Sequence, residues 1–114
     1  KSLKTGIMRK ENSSNAINEQ ALQQFCQAAK TVALFSGRWK LSILFKVLEN
    51  DSSYSDFKLL LPGISDRTLS KQLKELQQDG LIENTKTKIS SMYVASEKCR
   101  KLKPILLSLS AFKE

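Results

Sequence analysis

Histidine is absent from this 114-residue sequence. Its absence removes the commonest general base, the Ser-His and Cys-His nucleophile pairs and most zinc sites. Only four glycines are present, and none builds a glycine-rich phosphate loop. The carboxylates are scattered along charged stretches, so no set of nucleophile, base and pocket residues can be assembled. Neither an enzyme nor a bound cofactor or metal is expected. Cys26 and Cys99 are the two cysteines, too few and too far apart for a disulfide framework, and both are read as free thiols. No apolar run approaches the roughly 18 residues that span a bilayer. The basic stretch Lys1–Lys10 is not followed by the apolar block of a signal peptide. The expectation is a cytoplasmic protein with no membrane partner.

What is abundant is positive charge. Nineteen Lys and Arg against 11 Asp and Glu give a formal net charge of +8, a surface that attracts polyanions. Hydrophobic residues at 40% and charged residues at 26% suit one globular domain with a modest packed core. Nucleic acid is the first partner to consider and a merely soluble basic domain the alternative. The placement of the basic residues along the chain decides between them.

Residues 1–16 are polar, basic and aperiodic and read as a flexible arm, with Met8 a candidate native start. From Ile17 to Phe35, apolar positions Ala21, Leu22, Phe25, Cys26, Ala29, Val32 and Ala33 recur at three and four, which predicts an amphipathic helix that Gly37 ends. A second helix is predicted over Arg38–Glu49, with Trp39, Ile43, Leu44, Val47 and Leu48 facing the core. A third, short one starts at Ser55 as N-cap and buries Phe57, Leu60 and Leu61 before Pro62 and Gly63. The fourth is capped by Ser65 or Asp66 and runs to Asp79, with Gly80 at its C-terminal cap. Leu81–Lys86 and Ser91–Val94 then form a hairpin. Ser96 and Glu97 open a last helix through Pro104, a point where it can kink, with Leu102, Ile105, Leu106, Leu109 and Phe112 as its stripe. Helix, helix, short helix, helix, hairpin, helix is the order of a winged helix.

On the fourth helix Leu69, Leu73 and Leu76 share one face, while Arg67, Lys71, Lys74 and Gln78 lie about 140 to 200° from Leu69. If the leucines dock on the preceding helices, the basic face is free to enter a major groove. Arg67 can donate two bonds to one guanine edge, Lys71 and Lys74 fit phosphate, and Thr68 and Ser70 can bond either. Ser65 joins them at the helix start. Lys86 and Lys88 in the hairpin can reach phosphates or a minor groove. Arg38 and Lys40, at the second helix's start, are further phosphate candidates, and Trp39 between them is read as core. The alternative is a solvated basic surface.

The run LPGISDRTLSKQLKELQQDGLIE, Leu61–Glu83, together with SGRWKLSILFKVL upstream, resembles the central signature of HxlR-type bacterial regulators. The resemblance extends from Cys26 to the C-terminus. SEKC at Ser96–Cys99 departs from the family's Thr-Glu-Lys-Gly-like helix start, and the wing is shorter and lacks the usual proline-rich, tyrosine-containing stretch. The resemblance implies a MarR-related winged helix-turn-helix transcription factor in which terminal helices pair two subunits on a pseudo-palindromic operator. Several members sense electrophiles or oxidants through a cysteine near the first helix's start, and Cys26, thirteen positions before Trp39, matches that spacing. A structural or dimer-interface thiol is the other reading.

The sequence thus implies a mainly α fold with a small β-hairpin, a winged helix-turn-helix over residues 17–114 with N- and C-terminal dimerisation helices. The implied function is double-stranded DNA binding as a homodimer, through Ser65, Arg67, Thr68, Ser70, Lys71 and Lys74 in the major groove and Lys86 and Lys88 in the wing. Cys26 would answer a small electrophile or oxidant. A winged-helix module that binds another protein is the competing function.

Overall fold

Polar side chains that close onto backbone amides set most of the helix starts. In the computed structural model, which describes residues 11–114 and side chains from residue 18 onward, seven elements follow one another. They are α1 (Glu11–Ala33), α2 (Lys40–Glu49), α3 (Tyr54–Leu60), α4 (Asp66–Gln78), β1 (Ile82–Lys86), β2 (Ser91–Ala95) and α5 (Glu97–Ala111). The chain divides into two units, one ending at Leu34 and one covering Phe35–Glu114.

In the first unit α1 begins at Glu11, six residues before the expected start, so residues 11–16 are helical rather than arm. A helical turn needs no apolar spacing to form, and Glu11 and Ala16 favour it by intrinsic propensity. The rest of the expected arm, residues 1–10, lies outside the described residues. Leu22, Phe25 and Val32, all on the expected apolar stripe, are more than half exposed.

The second unit is built around Ile43, Leu44, Phe57, Leu69, Leu73, Leu76, Leu81 and Leu106, all essentially buried. α2 starts at Lys40 without a side-chain cap, and Trp39 is half-buried beneath the Arg38 guanidinium, 4.5 Å from its ring centroid, rather than in the core. The cap of α3 is Ser53, not Ser55. Its hydroxyl accepts from the Asp56 amide (3.2 Å) while the Asp56 carboxylate accepts from the Ser53 amide (2.8 Å). Only Ser53 has an acid three residues on, which makes this reciprocal pair possible. These bonds, the backbone one first, lower the Asp56 pKa. Leu60, expected in the core, is 43% exposed. A seven-residue helix turns one face inward, and Phe57 with Leu61 fill it.

Ser65 caps α4, and the helix buries Leu69, Leu73 and Leu76 as the spacing predicts. Its C-terminus is a Schellman turn. The Leu81 amide donates to the Leu76 carbonyl (2.9 Å), the Gly80 amide to Gln77 (3.0 Å), Gly80 has φ +75°, and Leu76 and Leu81 are fully buried. β1 and β2 pair antiparallel from Ile82↔Ala95 to Lys86↔Ser91. A bridge with no local signal in the sequence joins Ser52 to Tyr93 through two backbone bonds of 3.0 and 2.7 Å. Ser52 is wholly buried, with its hydroxyl donating to the Asn50 carbonyl, so the middle of β2 is tied to the segment between α2 and α3. α5 is capped by Ser96, continues through Pro104 and buries Leu102 and Leu106, whereas Ile105, Leu109 and Phe112 of its expected stripe are exposed.

Candidate nucleic-acid interface

The side chains of α4 sort by what the rest of the unit leaves free. With its leucines buried, Arg67, Ser70, Lys71, Lys74 and Gln78 are exposed on the opposite side. Among the described residues no carboxylate lies within ion-pair distance of Arg67, Lys71 or Lys74. Ser65 and Thr68 behave differently. The Ser65 hydroxyl accepts from the Thr68 amide (3.1 Å) and donates to the Thr68 hydroxyl (3.0 Å), so this pair builds the helix start and Thr68 is half-buried.

The two acidic residues of α4 are each held by a lysine from another helix. Lys40, at the start of α2 and largely buried, meets Glu75 at 2.9 Å, which lowers the Glu75 pKa through that bond. Lys58 of α3 meets Asp66 at 3.1 Å and also donates to the Ile64 carbonyl (2.8 Å), and the Tyr54 hydroxyl donates to Asp66 (3.0 Å). The Lys58 and Tyr54 bonds, in that order, lower the Asp66 pKa. The Lys58 and Tyr54 contacts clamp the turn between α3 and α4, the Lys40 contact ties α2 to α4, and both lysines neutralise negative charge beside the basic face. They were not legible locally, because each joins residues distant in sequence. They also reassign Lys40, read from sequence as a phosphate candidate, to holding α4 in place.

Lys86 ends β1 and Lys88 sits in the following turn, both exposed. The turn is closed by the Thr87 amide donating to the Ser90 carbonyl (2.8 Å) and the Ser90 amide donating to the Thr87 hydroxyl (3.0 Å). Cys26 is exposed on α1, about four turns from Glu11. Cys99 is buried, and burial pushes its thiol up to about 11.

A short capped helix, a clamped turn, a helix with a leucine face and a free basic face, and a hairpin leaving it through a Schellman turn define a winged helix-turn-helix, the architecture of DNA-binding regulators. Comparison with known proteins agrees. The family described as HxlR-like helix-turn-helix matches residues 34–114. YdzF of Bacillus subtilis (strain 168), an HTH-type transcriptional regulator, is 38% identical over 80 residues, 67% of this chain and 73% of YdzF. The reduced form of the redox regulator HypR superposes with a TM-score of 0.71 at 25% identity, covering 74% of this chain and 86% of HypR. The HTH-type regulator YtcD superposes with a TM-score of 0.70 at 32% identity, covering 74% and 89%. The chain belongs to the HxlR-like helix-turn-helix family.

Proposed function

We propose that this protein is a transcriptional regulator that binds operator DNA as a homodimer, with α4 in the major groove and the β1–β2 turn beside it. The observation that carries the reading is the outward face of α4, where Arg67, Lys71 and Lys74 stand exposed and make no ion pair among the described residues. Arg67, in the first turn, takes the base-reading role, with Ser70 beside it. Lys71, Lys74, Lys86 and Lys88 neutralise phosphates, and Ser65 and Thr68 present the helix start to the backbone. Two-fold pairing uses the exposed apolar residues of α1 and α5, which otherwise stand in water.

The exposed Cys26 makes the regulator thiol-responsive, a reading supported by the likeness to HypR, itself a redox regulator. An oxidant such as diamide takes two electrons and two protons from a pair of Cys26 thiols and leaves a disulfide between subunits.

The test is binding to fluorescent DNA from the gene's own upstream region and to a scrambled duplex across a salt series. Preference for the upstream DNA, with log affinity falling linearly in log salt, supports the reading. No duplex binding at low salt refutes it in favour of a protein-binding module.

A further inference from the structure

The turn Thr87–Ser90 contains a residue that the turn does not need. Ile89 is 94% exposed, more than any other large apolar side chain among the described residues. Turn positions ordinarily take residues that supply a positive φ or a local hydrogen bond, and isoleucine supplies neither. Among the described residues no non-glycine residue has a positive φ, and the hydrogen bonds that close this turn come from Thr87 and Ser90 alone. The backbone is therefore held in place while a stiff, branched apolar side chain is presented to solvent at the tip of a hairpin. Lys88 precedes it, Lys86 ends the strand below, and both are exposed.

Apolar side chains presented beside cations are a recurring device for entering a DNA minor groove, where they wedge against the base steps. The floor is smooth at A·T pairs, whereas G·C pairs raise the guanine N2 amino group into it. An isoleucine set against that amino group would leave its groove-facing N–H unpaired. We propose that Ile89 is the minor-groove anchor of the wing, packing on the deoxyribose walls and floor beside the half-site read by α4, and that it confers a preference for A·T pairs there. Lys86 and Lys88 hold the flanking phosphates. The inference rests on the duplex-binding reading above.

The experiment uses the full chain and a footprinted duplex from the upstream region, in versions carrying A·T, G·C or inosine·C pairs in the flank facing the wing. Inosine keeps the major-groove face of guanine and lacks its N2 amino group. The wild-type protein is expected to bind A·T and inosine·C flanks alike and G·C flanks several-fold more weakly. Ile89→Ser is expected to weaken binding to the A·T flank about tenfold for each wing engaged, with an unchanged salt slope and no flank preference. Lys88→Ala is expected to keep the preference while lowering the salt slope by about one for each wing engaged. Equal binding of Ile89→Ser and wild type on every flank overturns the anchor while leaving duplex recognition intact. Retention of the A·T preference by Ile89→Ser also overturns it and assigns the preference to groove shape. Failure of the wild-type protein to bind any duplex overturns both readings.

Discussion

Replacing Gly80 by alanine tests the joint between the recognition helix and the wing. Its φ of +75° places it in the left-handed region, where an L-residue costs about 1–2 kcal/mol. A Cβ there meets nothing closer than Lys98 Cδ at 3.8 Å, an ordinary contact, so the cost is conformational and not a clash. Alanine also restricts the unfolded chain, which returns about 0.5 kcal/mol, leaving a net loss of about 1 kcal/mol. For a unit of this size that is a fall in Tm of about 4–8 °C. Asparagine tolerates the left-handed region and should cost less, and valine, branched at Cβ, should cost more. The assay is thermal and urea unfolding followed by circular dichroism at one fixed protein concentration, since dimerisation makes Tm concentration-dependent. The expected order of stability is Gly, Asn, Ala, Val. If alanine and valine unfold together with the wild type, or the order is reversed, the Schellman account of this joint is wrong.

Arg67→Ala should cost about 1–3 kcal/mol on the preferred operator and relax preference at one position, and equal weakening on all sequences reassigns Arg67 to phosphate. The depressed carboxylates fix the acid limb of stability. Asp56, Asp66 and Glu75 lie below their usual 3.8, 3.8 and 4.5, so their stabilisation is complete above the unfolded values and is lost as pH falls through the folded ones. Stability should therefore be flat near neutrality and fall below about pH 4.5. Lys40→Met, which keeps the buried stem, should lower stability at pH 7 and make that fall shallower, and an unchanged acid limb refutes the Glu75 assignment. In the native protein a thiol reagent should modify Cys26 quickly and Cys99 only on unfolding, as read by mass spectrometry. If diamide alters DNA affinity equally in Cys26→Ser and wild type, Cys26 is not the responding thiol.

The recognition helix was the most legible part of the sequence because its signals are local. A serine cap, a leucine every three or four residues and a closing glycine all lie within sixteen positions, and Ser65, Leu69, Leu73, Leu76 and Gly80 take the expected places. Less was visible where structure depends on distant partners. Ser53 rather than Ser55 caps α3 because Asp56 returns its bond, a choice that two neighbouring serines leave open. Lys40 and Arg38 look equivalent beside Trp39, yet one reaches Glu75 and the other covers the indole ring. Ser52 carries no strand signal of its own and gains its bridge only because Tyr93 arrives beside it. Leu60 and Ile105 fit an apolar spacing but fall outside the arc that the core covers. The residues proposed to touch DNA were readable as types and positions, whereas the lysines of α2 and α3 that steady their helix were not.

The ion pairs of α4 also bear on how such a regulator changes its target. Everything that fixes the helix in the domain, its leucines, its cap and the lysines holding Asp66 and Glu75, lies off the exposed basic face. Arg67, Ser70, Lys71, Lys74 and Gln78 answer to no partner within the unit among the described residues. Mutations at these five positions carry little folding penalty, so under the proposed reading the base-contacting positions Arg67 and Ser70 can change by drift without a compensating change elsewhere. If Arg67 and Ser70 read bases as proposed, transplanting the residues at these two positions from a relative should shift operator choice while leaving the scaffold's melting temperature nearly unmoved.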